Sequence, residues 1–265
     1  MTGPESREEK LRLAALVSRL PEGRGGLLRW PEEVDSTNTR LKEWARQGAP
    51  PGSVLLAERQ SAGRGRLGRS FASPPGGLYL SYLLRPRLAP AEVGEITAWV
   101  AVAVRRALGR CCGFSPEIKW VNDLLWQGKK LCGILCEAVL NRDRLEALVL
   151  GVGVNADTSP EDFPPELRRT AASLRGLGLP VPEKSDLAAE LIRALDEMAA
   201  DFPQGREKYL AEYRAACVTL GREVTFPDGN TAFAEGLDED FSLLLRLPDG
   251  RAQKLRSGEA TFHSE

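Results

Sequence analysis

The sequence is poor in the residues that build metal or disulfide scaffolds. It contains one histidine and five cysteines among 265 residues, and no two cysteines form a CxxC pair. A structural zinc site needs four such ligands at short spacing, and a disulfide framework needs paired cysteines. We therefore expect neither kind of scaffold. Reduced, buried cysteines fit a cytoplasmic protein better.

Excess charge of one sign and long apolar runs are lacking as well. The chain has 36 Lys and Arg against 37 Asp and Glu, a net charge of -1, so its overall charge attracts neither DNA nor an anionic membrane. The apolar run 99–104 is far too short to cross a bilayer, and the first ten residues lack the apolar core of a signal peptide. We expect no membrane segment, and any anion recognition must be local.

Two common nucleotide-binding motifs are also missing. No GxxxxGK[ST] sequence occurs, and Gly151-Val152-Gly153 lacks the third glycine and the following helix of a dinucleotide fingerprint. Fewer than 30 residues precede Trp30, too few for the roughly three helices of a DNA-binding head. These absences argue against a P-loop NTPase, a Rossmann enzyme and a DNA-binding domain.

Apolar periodicity predicts a mixed α/β core built on hairpins. Predicted helices cover 7–20, a capped segment after Asp35, 93–108, 185–201 and 203–217, and predicted strands cover 54–57, 78–84, 117–120, 131–139 and 145–154. From about residue 219, short alternating segments are separated by Asp228-Gly229 and Asp249-Gly250, which are strong hairpin-turn signals. This pattern of short strands and tight turns predicts a small C-terminal β-barrel.

The sharpest chemical motif is the segment 63–69, which reads Gly-Arg-Gly-Arg-Leu-Gly-Arg. Glycines let backbone N–H groups approach a ligand, and each guanidinium offers a fork of donors for carboxylate or phosphate oxygens. The alternative is a solvated basic turn, but RG-rich segments of that kind are usually repeated. We predict an anion-binding loop.

A second cluster is Lys119-Trp120-Val121-Asn122-Asp123, at the end of a predicted strand. A lysine there can neutralise negative charge that develops during acyl-phosphate chemistry. By spacing alone, an exposed strand-end cation explains the pattern equally well.

Together these stretches resemble the biotin protein ligase family over about residues 30–265. The matching segments are Val34-Asp35-Ser36-Thr37-Asn38, Glu58 to Arg69, Gly77-Leu78-Tyr79-Leu80-Ser81, Lys119 to Leu124, Lys130 to Glu137, and Gly151 to Asn155. The resemblance implies an α+β fold, with a seven-stranded mixed sheet backed by helices as in class II synthetase-like ligase domains, and an SH3-like barrel. The expected divisions are a helical extension 1–28, a catalytic domain 29–218 and a barrel 219–265.

The resemblance also implies roles for single residues. Ser36, Thr37 and Asn38 would hydrogen-bond the biotin ureido ring, although helix capping alone also accounts for Ser36. Gln60 would lie near the biotin carboxyl end, and Gly133 would frame the cavity. The loop residues Gly63, Arg64, Gly65 and Arg66 would close over biotinyl-adenylate, and Lys119 would sit beside the reacting carboxylate and the α-phosphate. Arg66 and Lys119 are the expected catalytic residues.

The implied reaction joins biotin to ATP and then to a lysine of a biotin carboxyl carrier protein. The expected cosubstrate is ATP with Mg²⁺, whose protein ligands the sequence does not identify beyond the candidates Asn122 and Asp123, and no prosthetic group is expected. A homodimer is plausible from the family, and DNA is not an expected partner. The family often has other residues where Val121, Ser257 and His263 stand.

Two other functions share part of this pattern. A lipoate-attaching enzyme would have the same architecture, but the Gly-Arg-Gly-Arg loop and the Lys-Trp-x-Asn-Asp segment fit the biotin branch better. A non-enzymatic, biotin-responsive regulator would need the N-terminal helices that we do not expect.

Overall fold

The structure, a computed structural model of the chain, describes residues 6–86, 90–142 and 144–262. The helices are α1 (Arg7–Val17), α2 (Thr37–Arg46), α3 (Ile96–Cys112), α4 (Lys184–Asp201) and α5 (Arg206–Ala216). The strands are β1 (Leu28–Arg29), β2 (Glu33–Val34), β3 (Val54–Ala57), β4 (Arg59–Gln60), β5 (Leu78–Leu84), β6 (Glu117–Lys119), β7 (Asp123–Trp126), β8 (Lys129–Asn141), β9 (Arg144–Val154), β10 (Glu223–Thr225), β11 (Thr231–Leu237), β12 (Leu243–Arg246) and β13 (Ala252–Leu255). His263 lies outside the described residues.

Seven strands form the main sheet, in the order β1-β3-β5-β9-β8-β7-β6. The β1–β3 pair is parallel, and the other five pairs are antiparallel. Strand β5 is buried along its whole length, because helices cover both faces of the sheet at this point. The expected mixed sheet backed by helices is confirmed.

The two faces of the sheet carry helix layers of different size. On one face, α2 packs Leu41 and Ala45 against Leu55, Leu83 and Val149. On the other face, the largely buried α3 packs with α4 and α5 in the larger core. The smaller layer leaves the end of the sheet near the N-terminus of α2 free of helix, and the candidate site lies there.

The C-terminal residues form a four-stranded antiparallel sheet in the order β10-β11-β12-β13. Gly229 and Gly250 both have φ +84°, as the predicted hairpin turns require. The described residues form an open sheet here and not a closed barrel. The Trp120 indole N–H donates to the Phe241 carbonyl oxygen at 3.0 Å, and the buried residues of this sheet join the core of the main domain. The divisions at residues 28 and 218 stay predictions.

Several predicted elements differ in detail from the structure. The predicted helix 7–20 ends at Val17, and α3 begins three residues later than predicted, at Ile96. Strand β7 was not predicted, and neither were the two-residue strands β1, β2 and β4, which are defined by pairing with partners distant in the sequence. Among the described helices, none combines the length and apolar character needed to span a bilayer.

Candidate active site

A cavity of about 190 Å³ opens on the α2 face of the main sheet. It is bounded by the N-terminus of α2, the loop after β4, the end of β6 and a segment of the C-terminal region. Every predicted ligand-binding residue except Gly63 lines it, namely Ser36, Thr37, Asn38, Gln60, Arg64, Gly65, Arg66, Lys119 and Gly133. The structure therefore brings the predicted set together, while the role of each residue stays a prediction.

One corner of the cavity is a hydrogen-bonded polar network at the start of α2. Ser36 caps the helix by accepting a hydrogen bond from the Thr39 N–H. The Thr37 N–H donates to Gln60 Oε1 at 2.8 Å. Ser36 and Thr37 are buried and Gln60 is partly buried, and none of the three side chains carries a charge, which suits recognition of a neutral polar ring.

Asn38 is held from both ends of its amide. Its Nδ2 donates to the Leu135 carbonyl oxygen at 3.1 Å and to Glu137 Oε2 at 2.9 Å. The Ser81 hydroxyl lies 2.6 Å from Asn38 Oδ1. Asn38 is only 4% exposed, so these bonds fix the orientation of its amide.

Glu137 is the anion behind this corner. Its Oε1 accepts from Lys42 Nζ at 2.7 Å and lies 3.4 Å from Arg64 NH2. Burial raises the pKa of Glu137, but the hydrogen bonds from Lys42 and Asn38 outweigh it and bring the pKa below its usual value. The side chain is therefore a carboxylate at neutral pH.

Glycines form the floor of the cavity. Gly133 on β8 pairs with Gly153 on β9, and the Phe71 ring lies on both. A Cβ would stand 2.7 Å from a ring carbon at Gly133 and 2.6 Å at Gly153. Two residues earlier on β9, Gly151 faces Asn38, and a Cβ there would overlap Asn38 Oδ1 and lie 2.9 Å from Asn38 Nδ2. The missing side chains make the space above the sheet.

The arginine-rich loop folds into a tight hairpin. The Phe71 N–H donates to the Gly63 carbonyl oxygen at 2.9 Å, and the Gly65 N–H donates to the Arg69 carbonyl oxygen at 2.7 Å. Gly63 lies behind the hairpin and not on the cavity wall. A Cβ added at Gly63 would stand 2.6 Å from Ser73 Oγ. Leu67 at the tip has φ +53° and is 71% exposed.

Arg66 points inward from this hairpin and is oriented by Asn122. Arg66 NH1 donates to Asn122 Oδ1 at 3.1 Å, and Asn122 Nδ2 donates to the Ile134 carbonyl oxygen at 3.0 Å. Arg66 is thereby tied to β8 through a neutral side chain, so its positive charge is not cancelled by a carboxylate at this contact. That arrangement suits an anionic ligand.

Lys119 and Lys130 bring further positive charge to the same wall. Lys130 Nζ lies 2.7 Å from Asp123 Oδ1. Burial lowers the pKa of Lys119, an effect that outweighs the opposing influence of Asp123. Lys119 is therefore a partly desolvated ammonium group, and an approaching anion would stabilise its charged form.

A second cavity of about 510 Å³ adjoins the first and shares Phe71, Lys119 and Lys130 with it. Its far side is lined by Phe163 and Leu167, from the proline-rich stretch 158–182. The Lys130 N–H and carbonyl oxygen bond to Thr170 and Ala172, which docks this stretch on the start of β8. The larger cavity is within the size range of ligand pockets, and aromatic and aliphatic side chains suit a planar heterocycle.

The C-terminal segment covers one side of the site. Gly258 to Thr261 line the first cavity, and Glu259 pairs with Arg69 of the hairpin at 2.5 Å. Sequence reasoning missed Glu259, Glu137, Phe71 and Lys130. The sequence carried signals for three of them. Phe71 follows the arginine-rich loop, and Lys130 and Glu137 are the first and last residues of a segment that the resemblance matched.

The described residues offer little to a resident metal ion. They contain no group of three or more His, Cys, Asp or Glu side chains able to hold one. Of the two candidates, Asn122 Oδ1 already accepts from Arg66 and Asp123 is paired with Lys130. With these two side chains engaged, a magnesium ion that accompanies ATP would be held chiefly by phosphate oxygens and water, as Mg²⁺ prefers.

Comparison with known proteins gives a consistent set of relatives. Residues 30–155 match the Biotin/lipoate A/B protein ligase family. The biotin--[acetyl-CoA-carboxylase] ligase of Mycobacterium tuberculosis is 32% identical over 237 residues, which cover 86% of this chain and 85% of that protein. The bifunctional ligase/repressor BirA of Bacillus subtilis is 30% identical over 231 residues, 85% of this chain and 71% of that protein.

Among solved structures, the biotin protein ligase from Aquifex aeolicus in complex with biotin and ATP is similar in fold. It superimposes with a TM-score of 0.74 at 30% sequence identity, and the match covers 88% of this chain and 97% of that chain.

Proposed function

We propose that this chain, which belongs to the biotin protein ligase family, activates biotin with ATP and transfers the biotinyl group to a lysine of a carrier protein. The observation that carries the proposal is one cavity in which a buried neutral polar corner faces two cations, Arg66 and Lys119. A ligand with a polar ring at one end and a carboxylate at the other fits that polarity. The adjoining cavity gives room for a nucleotide.

In the first step, a carboxylate oxygen of biotin attacks the α-phosphorus of MgATP. The new O–P bond gives biotinyl-5'-AMP, and the bond to the β-phosphate breaks and releases pyrophosphate. Two anions must meet for this to happen, and Arg64, Arg66 and Lys119 offset their repulsion. Catalysis is therefore mainly positioning and charge neutralisation.

In the second step, the carrier lysine amine attacks the acyl carbon of the mixed anhydride. The C–N bond forms, AMP leaves with the electrons of the C–O bond, and the nitrogen loses its proton. Water competes for the same anhydride, so the hairpin 63–71 and the C-terminal segment 258–261 would have to exclude it.

The direct test is biotin-dependent exchange of labelled pyrophosphate into ATP, followed by covalent labelling of a biotin carboxyl carrier domain. We expect wild-type protein to carry out both. Arg66→Ala and Lys119→Ala should lower the exchange by about 10²-fold or more, as loss of a charge-stabilising donor does, while their circular dichroism spectra stay unchanged. Unaltered exchange in either variant would refute the role proposed for that residue.

The finer parts of the proposal have their own measurements. Competition between biotin and lipoate in the exchange assay separates the biotin enzyme from a lipoate-attaching one, and we expect biotin to win. We also propose that the protein does not bind DNA, acts in the cytoplasm and forms homodimers. Gel-shift assays, cell fractionation and sedimentation check these three points.

A further inference from the structure

The carboxylate of Glu137 divides its two oxygens between two kinds of partner. Oε2 accepts from the neutral amide of Asn38, and Oε1 accepts from the ammonium group of Lys42 and lies near the Arg64 guanidinium. Glu137 itself is not on the cavity wall. It stands one step behind it, on the same face of β8 as Leu135 and Gly133.

The contacts around Asn38 decide what that residue offers to a ligand. Both N–H bonds of its amide are used, one to the Leu135 carbonyl oxygen and one to Glu137. Its oxygen accepts from Ser81 and has a second lone pair left. Asn38, which lines the cavity, can therefore act toward a ligand only as an acceptor of an N–H bond.

We propose that Glu137 is a positioning residue for substrate recognition, which holds the Asn38 amide so that its oxygen faces the cavity and accepts a ring N–H of the cyclic urea. This inference rests on the proposed function, because it assigns the polar corner to the biotin ring. Glu137 acts through Asn38 and touches neither substrate nor reacting atoms.

Substitution of Glu137 by glutamine leaves too few acceptors for the donors around it. Glutamine has one acceptor oxygen and one donor NH₂, whereas the site presents donors on both sides, Asn38 Nδ2 and Lys42 Nζ. The charged ammonium group takes the oxygen, because hydrogen bonds to charged groups are the stronger ones. The glutamine NH₂ then faces Asn38 Nδ2, and the asparagine amide is driven to turn over or move.

Removing the competing cation should reverse the effect. In the double variant Glu137→Gln with Lys42→Met, the cation that is hydrogen-bonded to this side chain is gone, and only the half-exposed Arg64 guanidinium, 3.4 Å from the oxygen in the wild type, remains on that side. The glutamine oxygen can then turn to Asn38 and accept its N–H. The single variant Lys42→Met is the matched control, because it breaks the ion pair and leaves the carboxylate on Asn38 in place. A Glu137 whose role is only the ion pair to Lys42 would give the same phenotype in both single variants.

The experiment measures biotin binding by calorimetry, and KM for biotin and for ATP in the exchange assay. We expect Glu137→Gln to weaken biotin binding and raise KM for biotin about tenfold, with KM for ATP changed less than twofold. Lys42→Met should lower thermal stability but keep biotin affinity within twofold, and the double variant should recover most of the lost affinity. A change in ATP KM equal to that for biotin, or no recovery in the double variant, would overturn the proposal.

A second readout probes the hydrogen bond itself. Two analogues of biotin carry a methyl group on one or the other ureido nitrogen. Wild-type protein should bind biotin more tightly than at least one of them, and Glu137→Gln should reduce this ratio of affinities about tenfold. An unchanged preference contradicts the role given to Asn38. If wild-type protein showed no biotin-dependent exchange but still bound biotin with this preference, the proposed function would fail while the inference about Glu137 stood.

Discussion

Adding one methyl group at Gly153 should disturb the centre of the site. A Cβ at this position would lie 2.6 Å and 2.8 Å from two carbons of the Phe71 ring, against about 3.5–4.0 Å for carbon atoms in contact. One of the two partners must move by about 1 Å. Strand β9 is paired on both sides at Gly153, with Tyr79 and with Gly133, so the ring is the part that moves.

The ring has little freedom to give way. The Phe71 N–H is bonded to Gly63, and the ring packs edge-on against Tyr79 with centroids 6.4 Å apart. Overpacking of this kind costs about 1–3 kcal/mol. For a chain of this size each kcal/mol lowers Tm by about 2–4 °C, so Gly153→Ala should melt several degrees lower than wild type.

Gly153→Ala should also lower biotin-dependent exchange by about tenfold or more, because Phe71 borders both cavities. The control is Gly236→Ala on β11, where a Cβ meets nothing within 4 Å and we expect no loss of exchange. The double variant Phe71→Ala with Gly153→Ala should be more stable than the sum of its single changes, because removing the ring removes the overlap. If Gly153→Ala melted and exchanged like Gly236→Ala, the proposed packing of Phe71 on the floor would be refuted.

Three further variants probe the charges and the loop. Burial lowers the pKa of Lys119, so its ammonium form is lost as pH rises, and kcat/KM for exchange should begin to decrease before the pH reaches 10.5. Lys119→Arg should move this alkaline decrease to higher pH. A decrease at the same pH in both proteins would contradict the assignment. Glu259→Gln breaks the pair with Arg69 and should raise KM for ATP about twofold to fivefold at low salt, a difference that should shrink at high salt because exposed pairs are screened; a salt-independent difference would argue against the pair. Gly63→Ala would set a Cβ 2.6 Å from Ser73 Oγ and should reduce exchange without changing the pH limb, which a fully active variant would disprove.

Much of the fold could be predicted from periodicity and turn chemistry. The apolar stripes of α3 and α4 and the Asp-Gly turns at residues 228 and 249 are local signals, and the structure has helices and hairpins at those places. Strand β7 was missed because its four residues lie between a motif and a turn, and two-residue strands such as β1 carry no periodicity. Their existence depends on partners far away in the sequence.

Only part of the candidate site could be predicted from the sequence. Its arginines and its polar trio follow from the resemblance, and they converge in the structure. The pairing of Gly133 with Gly153, and the carboxylate of Glu137 behind Asn38, depend on the register of β8 against β9. Register is a property of two strands together, so no reading of either strand alone could place Phe71 over that floor or Glu137 beside that amide.

The ion pair between Arg69 and Glu259 joins residues 190 positions apart, one from the hairpin and one from the C-terminal segment. Engineers who wish to exchange the C-terminal sheet between members of the family would separate these two residues. A hybrid that keeps the main domain of one protein and takes the tail of another needs compatible charges at both positions. The same reasoning favours transplanting the hairpin and the tail as a single module.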